Sequence, residues 1–274
     1  MMFIGRSLFQ PLESNCPSET FPELEREAEK GDPKAQFELG ECYFYGDDIE
    51  CDDEEAIHWF TKAAQQGYMD ALLMLVHCYY EGDGVKKNIG EAIRWMKEAA
   101  ANGNLTAQVT LGYRYMEGDE VETDFEEAVK WLTKAAGQDD SVSQYNLGVC
   151  YLEGMGVEKN EEEAVRLFGK SAAHGDAVAM CAMGDCCFQG MGIEKSEEEA
   201  VKWYRKSAER GDSMALKNLG DCYLYGYSVE KDFMEAVGWY EKAAEQGNKV
   251  AEDNLKNLRN ENGMTMVYSI VNRK

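Results

Sequence analysis

Three sets of residues in this chain have types and spacings that could do chemistry. The first is acidic: in GVEKNEEEAVRLF, Glu161, Glu162 and Glu163 stand side by side before an apolar run. Clustered carboxylates can hold a metal, share the roles of acid and base, or attract a cationic partner. The second is a set of nine cysteines, enough for a disulfide framework, a metal site or a thiolate nucleophile. The third combines an S-x-x-K, Ser228 to Lys231, with His58, His77 and His174, the raw material of nucleophilic catalysis. Each chemistry needs its groups to converge on one point, so the elements that carry them decide among the readings.

A fixed period organises those elements. With Ala35 as position 1, Ala71, Ala107, Ser143, Ala179, Ala215 and Ala251 follow at intervals of 36 residues. Position 12 is glycine in every copy, from Gly46 to Gly226, and position 22 is alanine from Ala56 to Ala236. Position 25 is tryptophan except at Leu167, and position 6 is glycine except at Val76. Such self-similarity signals stacked repeats. Positions 1, 5, 8 and 9 share one helical face and predict a helix A, with the position-12 glycine at its left-handed end. Positions 22, 25, 26, 29 and 30 predict a helix B, closed by glycine at position 33. Alanine at 22 and 30 and glycine at 6 let neighbouring backbones approach. One hairpin cannot bury its faces alone, so the copies must stack.

The expected fold is all-α, an array of 36-residue helix-turn-helix repeats over residues 19–260. A partial repeat at 21–34 precedes full repeats starting at 35, 71, 107, 143, 179 and 215, and a helix at 251–258 closes the array. An irregular segment, 1–18, and a tail, 261–274, fall outside the pattern. The tail contains MTMVYSIVNRK, rich in β-favouring residues, which would pack back on the last repeat or hang free.

The period absorbs most of the chemistry. Position 18 is Asp52, Asn88, Asp124, Asn160, Ser196 and Asp232, each a good N-cap, and position 21 is glutamate from Glu55 to Glu235. That spacing predicts a capping box, in which the cap side chain and the third-residue carboxylate satisfy backbone donors reciprocally. The three glutamates are therefore expected to start a helix. Within Ser228–Lys231, Val229–Lys231 repeats the linker wording of Val157–Lys159, and the histidines fall at positions 24, 7 and 32, with no shared face. There is no C-x-x-C, phosphate-binding glycine loop or H-E-x-x-H. No catalytic residue, metal or cofactor is expected.

Composition bounds the partners. A net charge of −24 repels phosphates and anionic lipid, which argues against nucleic acid and membranes. No window approaches 18 consecutive apolar residues. The start, MMFIGRSLFQPLESNCPSET, lacks the order of a secretory signal, so a cytoplasmic chain is expected.

The wording A-x3-LG-x2-Y-x2-G-x-GV followed by A-x2-WY-x2-AA-x2-G, clearest in Ala215–Val229 and Ala236–Gly247, closely resembles the Sel-1-like repeat, a relative of the tetratricopeptide repeats. The resemblance covers roughly residues 21–258. It implies a right-handed α/α superhelical solenoid that holds partner proteins together, without implying one chemistry. A cysteine-rich secreted branch of the family pairs a helix-A cysteine with a helix-B cysteine in each repeat. Here position 8 carries Cys42, Cys78, Cys150, Cys186 and Cys222, with Arg114 breaking the column, while helix B has alanine or serine at the partner positions. Equivalent cysteines one repeat apart lie about 10 Å apart, a helix-packing distance, too far for a bridge. The column is expected to be buried thiols in a reducing compartment.

In tetratricopeptide-like superhelices helix A lines the concave groove, so the resemblance places positions 3, 7, 10 and 11 there. Positions that hold the array together keep one residue type, whereas positions read by a partner are free to differ. Position 7 varies most. The candidate groove residues are Phe37, Tyr145 and Lys217 at position 3; Glu41, His77, Tyr113, Val149, Asp185 and Asp221 at position 7; and Phe44, Tyr80, Met116 and Phe188 at position 10. Position 10 could equally be core. This mixture suits a protein or peptide with apolar anchors and lysine or arginine, bound by a monomeric adaptor. Charge reversal at Glu41, Asp185 and Asp221 is expected to weaken capture without lowering thermal stability. Two rivals stay open: a hydrolase like that proposed for the cysteine-rich branch, and a self-associating structural or regulatory protein.

Overall fold

The computed structural model describes residues 21–46 and 50–258. Every regular element among them is helical, and the chain divides into two compact units, Met1–Ala135 and Ala136–Lys274. The irregular start and the tail expected beyond the repeats lie outside the described residues.

The first unit holds α1 (Phe21–Glu29), α2 (Pro33–Tyr45), α3 (Asp53–Gln65), α4 (Met69–His77), α5 (Ile89–Ala101), α6 (Leu105–Glu117) and all but the last residue of α7 (Phe125–Ala136). A π-helical turn, Cys78–Gly82, prolongs α4. The second unit holds α8 (Ser141–Glu153), α9 (Glu161–Ala173), α10 (Ala177–Gln189), α11 (Glu197–Glu209), α12 (Ser213–Tyr225) and α13 (Phe233–Glu245), then helical residues 249–258. Even-numbered helices are the A helices of the repeats and odd-numbered ones the B helices.

Each helix begins where its cap residue stands. At the B helices, Asn160 accepts from the Glu163 amide at 3.0 Å and Ser196 from the Glu199 amide at 3.2 Å. Asp52, Asn88, Asp124 and Asp232 do the same for their own third-residue amides. The reciprocal half of the expected box is replaced. The cap N–H donates instead to the position-9 carbonyl of the preceding A helix, as in Asn160 to Tyr151 at 2.8 Å and Ser196 to Cys187 at 2.8 Å. With that donor already satisfied, the glutamate turns outward: Glu163 takes Arg166, and Glu127 takes Lys130 and the Trp131 Nε1–H. The linker between A and B is thereby pinned to helix A.

A second row of caps starts the A helices. Asp32, Asn104, Asp140, Asp176, Asp212 and Asn248 each accept from the amide three residues on. Tyr68 is the exception and makes no side-chain cap bond. Helix A ends at position 12 in the left-handed region, for example Gly154 at φ 74° and Gly190 at φ 78°, where glycine avoids a Cβ clash.

Packing follows the size pattern. The position-22 alanines are wholly buried. A Cβ placed on Gly40 would lie 2.6 Å from the Phe60 ring, and one on Gly184 would lie 2.4 Å from the Tyr204 ring. Glycine at 6 and the large group at 26 thus share one space within each repeat. Val76 stands in the glycine slot opposite Met96, whose unbranched chain can bend around the added bulk.

Candidate partner-binding site

The cysteine column is core. Cys78, Cys150, Cys186 and Cys222 are buried free thiols. Burial pushes the Cys150 thiol up to about 11 and those of Cys78, Cys186 and Cys222 up to about 12, the opposite of what a nucleophile needs. Cys42 corrects the expectation of a column made wholly of thiols, because it is disulfide-bonded. Ser228 is exposed and occupies a left-handed linker position at φ 51°. Gly84, Gly156 and Gly192 hold the equivalent place with positive φ in their copies.

Four candidate residues of the second unit converge. Asp185 and Phe188 on α10 and Lys217 and Asp221 on α12 line one pocket of about 400 Å³. Gln189, Tyr204, Asn218, Cys222, Tyr225 and Tyr227 complete its wall. Asp185 Oδ1 accepts from the Tyr204 hydroxyl at 2.8 Å and from Asn218 Nδ2 at 3.1 Å. Asp221 Oδ1 accepts from the Tyr240 hydroxyl at 2.6 Å, and its Oδ2 accepts from Lys217 Nζ at 3.0 Å. Burial pushes the Asp185 carboxyl above the usual range, with Tyr204 and Lys217 pulling it back. The Phe188 and Tyr227 rings meet edge to face at 5.0 Å, and Tyr225 lies 5.7 Å from Tyr227 with more than half its surface in solvent. Aromatic faces and carboxylates therefore share one recess.

This geometry overturns the expectation that Asp185 and Asp221 can be reversed at no cost to stability. Each carboxylate anchors a buried tyrosine of its own repeat's B helix, and a lysine there would orphan that hydroxyl. The signal was in the sequence: position 26 reads Phe60, Met96, Leu132, Phe168, Tyr204 and Tyr240. Tyrosine enters only in the two repeats that place aspartate at position 7.

In the first unit the candidates separate. Phe37 is a correction, since it is buried against Phe60 at 5.6 Å and Tyr68 at 5.4 Å and belongs to the core. Its ring lies on Phe60 of the B helix of its own repeat and is covered there. Phe44 is half-buried on Phe60 at 6.0 Å, Met116 packs on the same core, and His77 Nε2 lies 3.1 Å from Asp83. Tyr113 is 43% exposed. Glu41 is half-buried; among the described residues its Oε1 is buried without a hydrogen-bond partner. Burial, then Glu38 and Asp70, push its carboxyl up to about 7. Tyr145 and Val149, in the second unit, are half-buried, with Tyr145 5.6 Å from Phe168.

Tyr80 belongs to a cluster that spacing alone did not reveal. Its hydroxyl donates to Glu120 Oε1 at 2.7 Å, and the Arg114 guanidinium lies over its ring at 5.2 Å. Arg114 is 5% exposed and pairs with Glu120. Glu120 adopts φ 62°, a strained conformation for a non-glycine residue. Arg114 replaces the position-8 cysteine and Glu120 replaces a position-14 glycine in the same repeat, so two departures from the pattern answer each other. A further signal is position 36, which is apolar and exposed at Val142, Val178, Met214 and Val250 but polar at Asp70 and Thr106.

Comparison with known proteins follows this layout. The family model described as Sel1 repeat matches residues 33–68, 70–104, 106–140, 141–176, 177–212 and 213–248. The chain is 35% identical to a protective antigen of uropathogenic Escherichia coli strains displaying an SLR fold, with a TM-score of 0.65. That match covers 90% of this chain and 52% of the antigen, so the chain spans about half of that relative's length. A Sel1 repeat protein from Oxalobacter formigenes is 30% identical with a TM-score of 0.56, over 83% of this chain and 99% of that one. No curated protein matches the sequence.

Proposed function

The chain belongs to the Sel1 repeat family, and from that premise we propose a non-enzymatic adaptor that captures a protein segment on its A-helix faces. Sel1 repeat proteins are generally protein-interaction scaffolds. The observation that carries the finer reading is the pocket between α10 and α12, where Asp185, Asp221, Tyr225 and Phe188 meet. Half-exposed aromatic rings beside carboxylates provide the anchors and the polar contacts that concentrate binding energy at interfaces. The net charge favours a basic segment and repels nucleic acid and anionic membrane. Among the described residues no helix is long and apolar enough to cross a membrane.

The proposed adaptor is a monomer in the cytoplasm. The buried free thiols support a reducing compartment, and the disulfide at Cys42 stands against it. Affinity capture with the full chain tests the reading. Wild type is compared with Tyr225→Ser and Asp185→Asn, after thermal melts confirm that both fold. The expected result is a protein retained by wild type and depleted by both variants. Identical retention by all three chains would overturn the pocket as a capture site.

A further inference from the structure

We propose that the α10–α12 pocket takes an arginine side chain of the partner, held between Asp185 and the rings of Tyr225 and Tyr227. The inference rests on the capture reading and names the group captured.

The electrostatic balance of the pocket comes first. Lys217 and Asp221 neutralise one another at 3.0 Å, and both oxygens of Asp221 are occupied, the second by Tyr240. Among the described residues no cation bonds to Asp185, and Lys217 acts on it only from its place on Asp221. Both donors to Asp185, Tyr204 and Asn218, are neutral and both bind Oδ1, so among the described residues Oδ2 is left without a hydrogen bond. Two carboxylates against one ammonium leave a net negative charge in a recess that burial has partly dried. A half-buried carboxylate with a vacant oxygen is stabilised by a cation that can donate to it.

The wall then selects among cations. Phe188, Tyr227 and Tyr225 supply adjoining aromatic surface, with Tyr225 the most exposed. A guanidinium is planar and weakly hydrated, so it can stack on a tyrosine while its edge donates to Asp185. An ammonium holds its water more tightly and has no flat face to stack. The recess, about 400 Å³, has room for such a side chain and for water left around it. Lys217 stays on Asp221 throughout, which makes it a mild repulsive neighbour of the guest.

The test uses the full chain and N-acetyl-L-arginine methylamide as the probe, followed by amide chemical shifts. The lysine analogue and the neutral isostere citrulline serve as parallel probes. The expected result is saturable, millimolar binding with shifts at Asn218, Tyr225 and Tyr227. Citrulline should bind about tenfold more weakly and lysine several-fold more weakly. Asp185→Asn and Tyr225→Ala should each lose about tenfold, Lys217→Met should tighten binding several-fold, and Glu98→Gln, exposed on α5, should change nothing. Equal binding of citrulline, shifts scattered over the acidic surface, or an unchanged Asp185→Asn variant would each overturn the proposal. If the probe fails while partner capture still depends on Asp185 and Tyr225, the arginine assignment falls and the adaptor reading stands. If capture ignores both residues, the capture site itself is wrong.

Discussion

At the residue scale, the informative groups are those whose charge the fold leaves incompletely answered. Glu41 sits on α2 with Glu38 beside it, Asp70 of α4 facing it, and Tyr45 and Tyr68 near by. Its carboxyl is held up to about 7, above its ordinary 4.5. Between those two values the folded chain binds a proton that the unfolded chain has released, so stability falls as pH rises through that window. Glu41→Gln should therefore raise the melting temperature at pH 8 and leave it nearly unchanged at pH 4.5. A shift of equal size at both pH values would show that the carboxyl is not titrating there. Arg114 and Glu120 present a different case, a buried guanidinium with a carboxylate as its ion-pair partner. Glu120→Gly relieves a left-handed backbone but strands the guanidinium, at a cost of about 2–3 kcal/mol. Arg114→Cys combined with Glu120→Gly restores the wording of neighbouring repeats and should cost less than Glu120→Gly alone. Urea melts of wild type, both singles and the double measure the coupling, and simple additivity would dissolve the pair.

At the element scale, each helix is defined by a small set of columns, and this is the level at which the sequence could be read most directly. The caps at position 18, the glycines at 12 and 33 and the alanines at 22 recur because helix ends and close approaches have few solutions. Asp139 shows the rule from its exception: it replaces the position-33 glycine and still adopts φ 63°. Side chains facing across two helices were harder to read. Phe37 looked variable and therefore available, yet it is buried, because one column cannot reveal what stands opposite. The Asp185–Tyr204 and Asp221–Tyr240 pairs become visible only when positions 7 and 26 are read together, 19 residues apart. The row of A-helix caps at position 34 recurs in every copy but Tyr68 and lies outside both apolar stripes. Gly184 tests the packing side of this reading. Its Cβ would fall 2.4 Å from the Tyr204 ring, so Gly184→Ala should displace the tyrosine and cost about 1–3 kcal/mol. Gly238 has nothing within 4 Å of its Cβ position, so Gly238→Ala, within α13, should stabilise by about 0.5–1 kcal/mol. Chemical denaturation of the two variants should give opposite signs, and a neutral Gly184→Ala would show that the ring has room to move.

At the scale of the whole molecule, charge is the property that no single repeat explains. Aspartate and glutamate number 52 against 28 lysines and arginines, and the excess recurs with the period, since helix starts favour acids. Many of the cations are spent locally, as in Arg94 with Glu91, Arg166 with Glu163 and Lys202 with Glu199. Exposed pairs of this kind each contribute less than about 1 kcal/mol. The unpaired remainder repels itself in the folded chain and attracts any basic partner. Raising salt from about 0.01 M to 0.15 M shortens the screening length from about 30 Å to about 8 Å. The same change should then act in opposite directions on fold and function: the melting temperature rises as self-repulsion is screened, while affinity for an arginine-bearing segment falls. Thermal melts and probe titrations across one salt series measure both. A melting temperature that falls with added salt would mean that the local ion pairs outweigh the net charge. An affinity indifferent to salt would place the binding energy in the aromatic wall of Phe188, Tyr225 and Tyr227 rather than in the carboxylates.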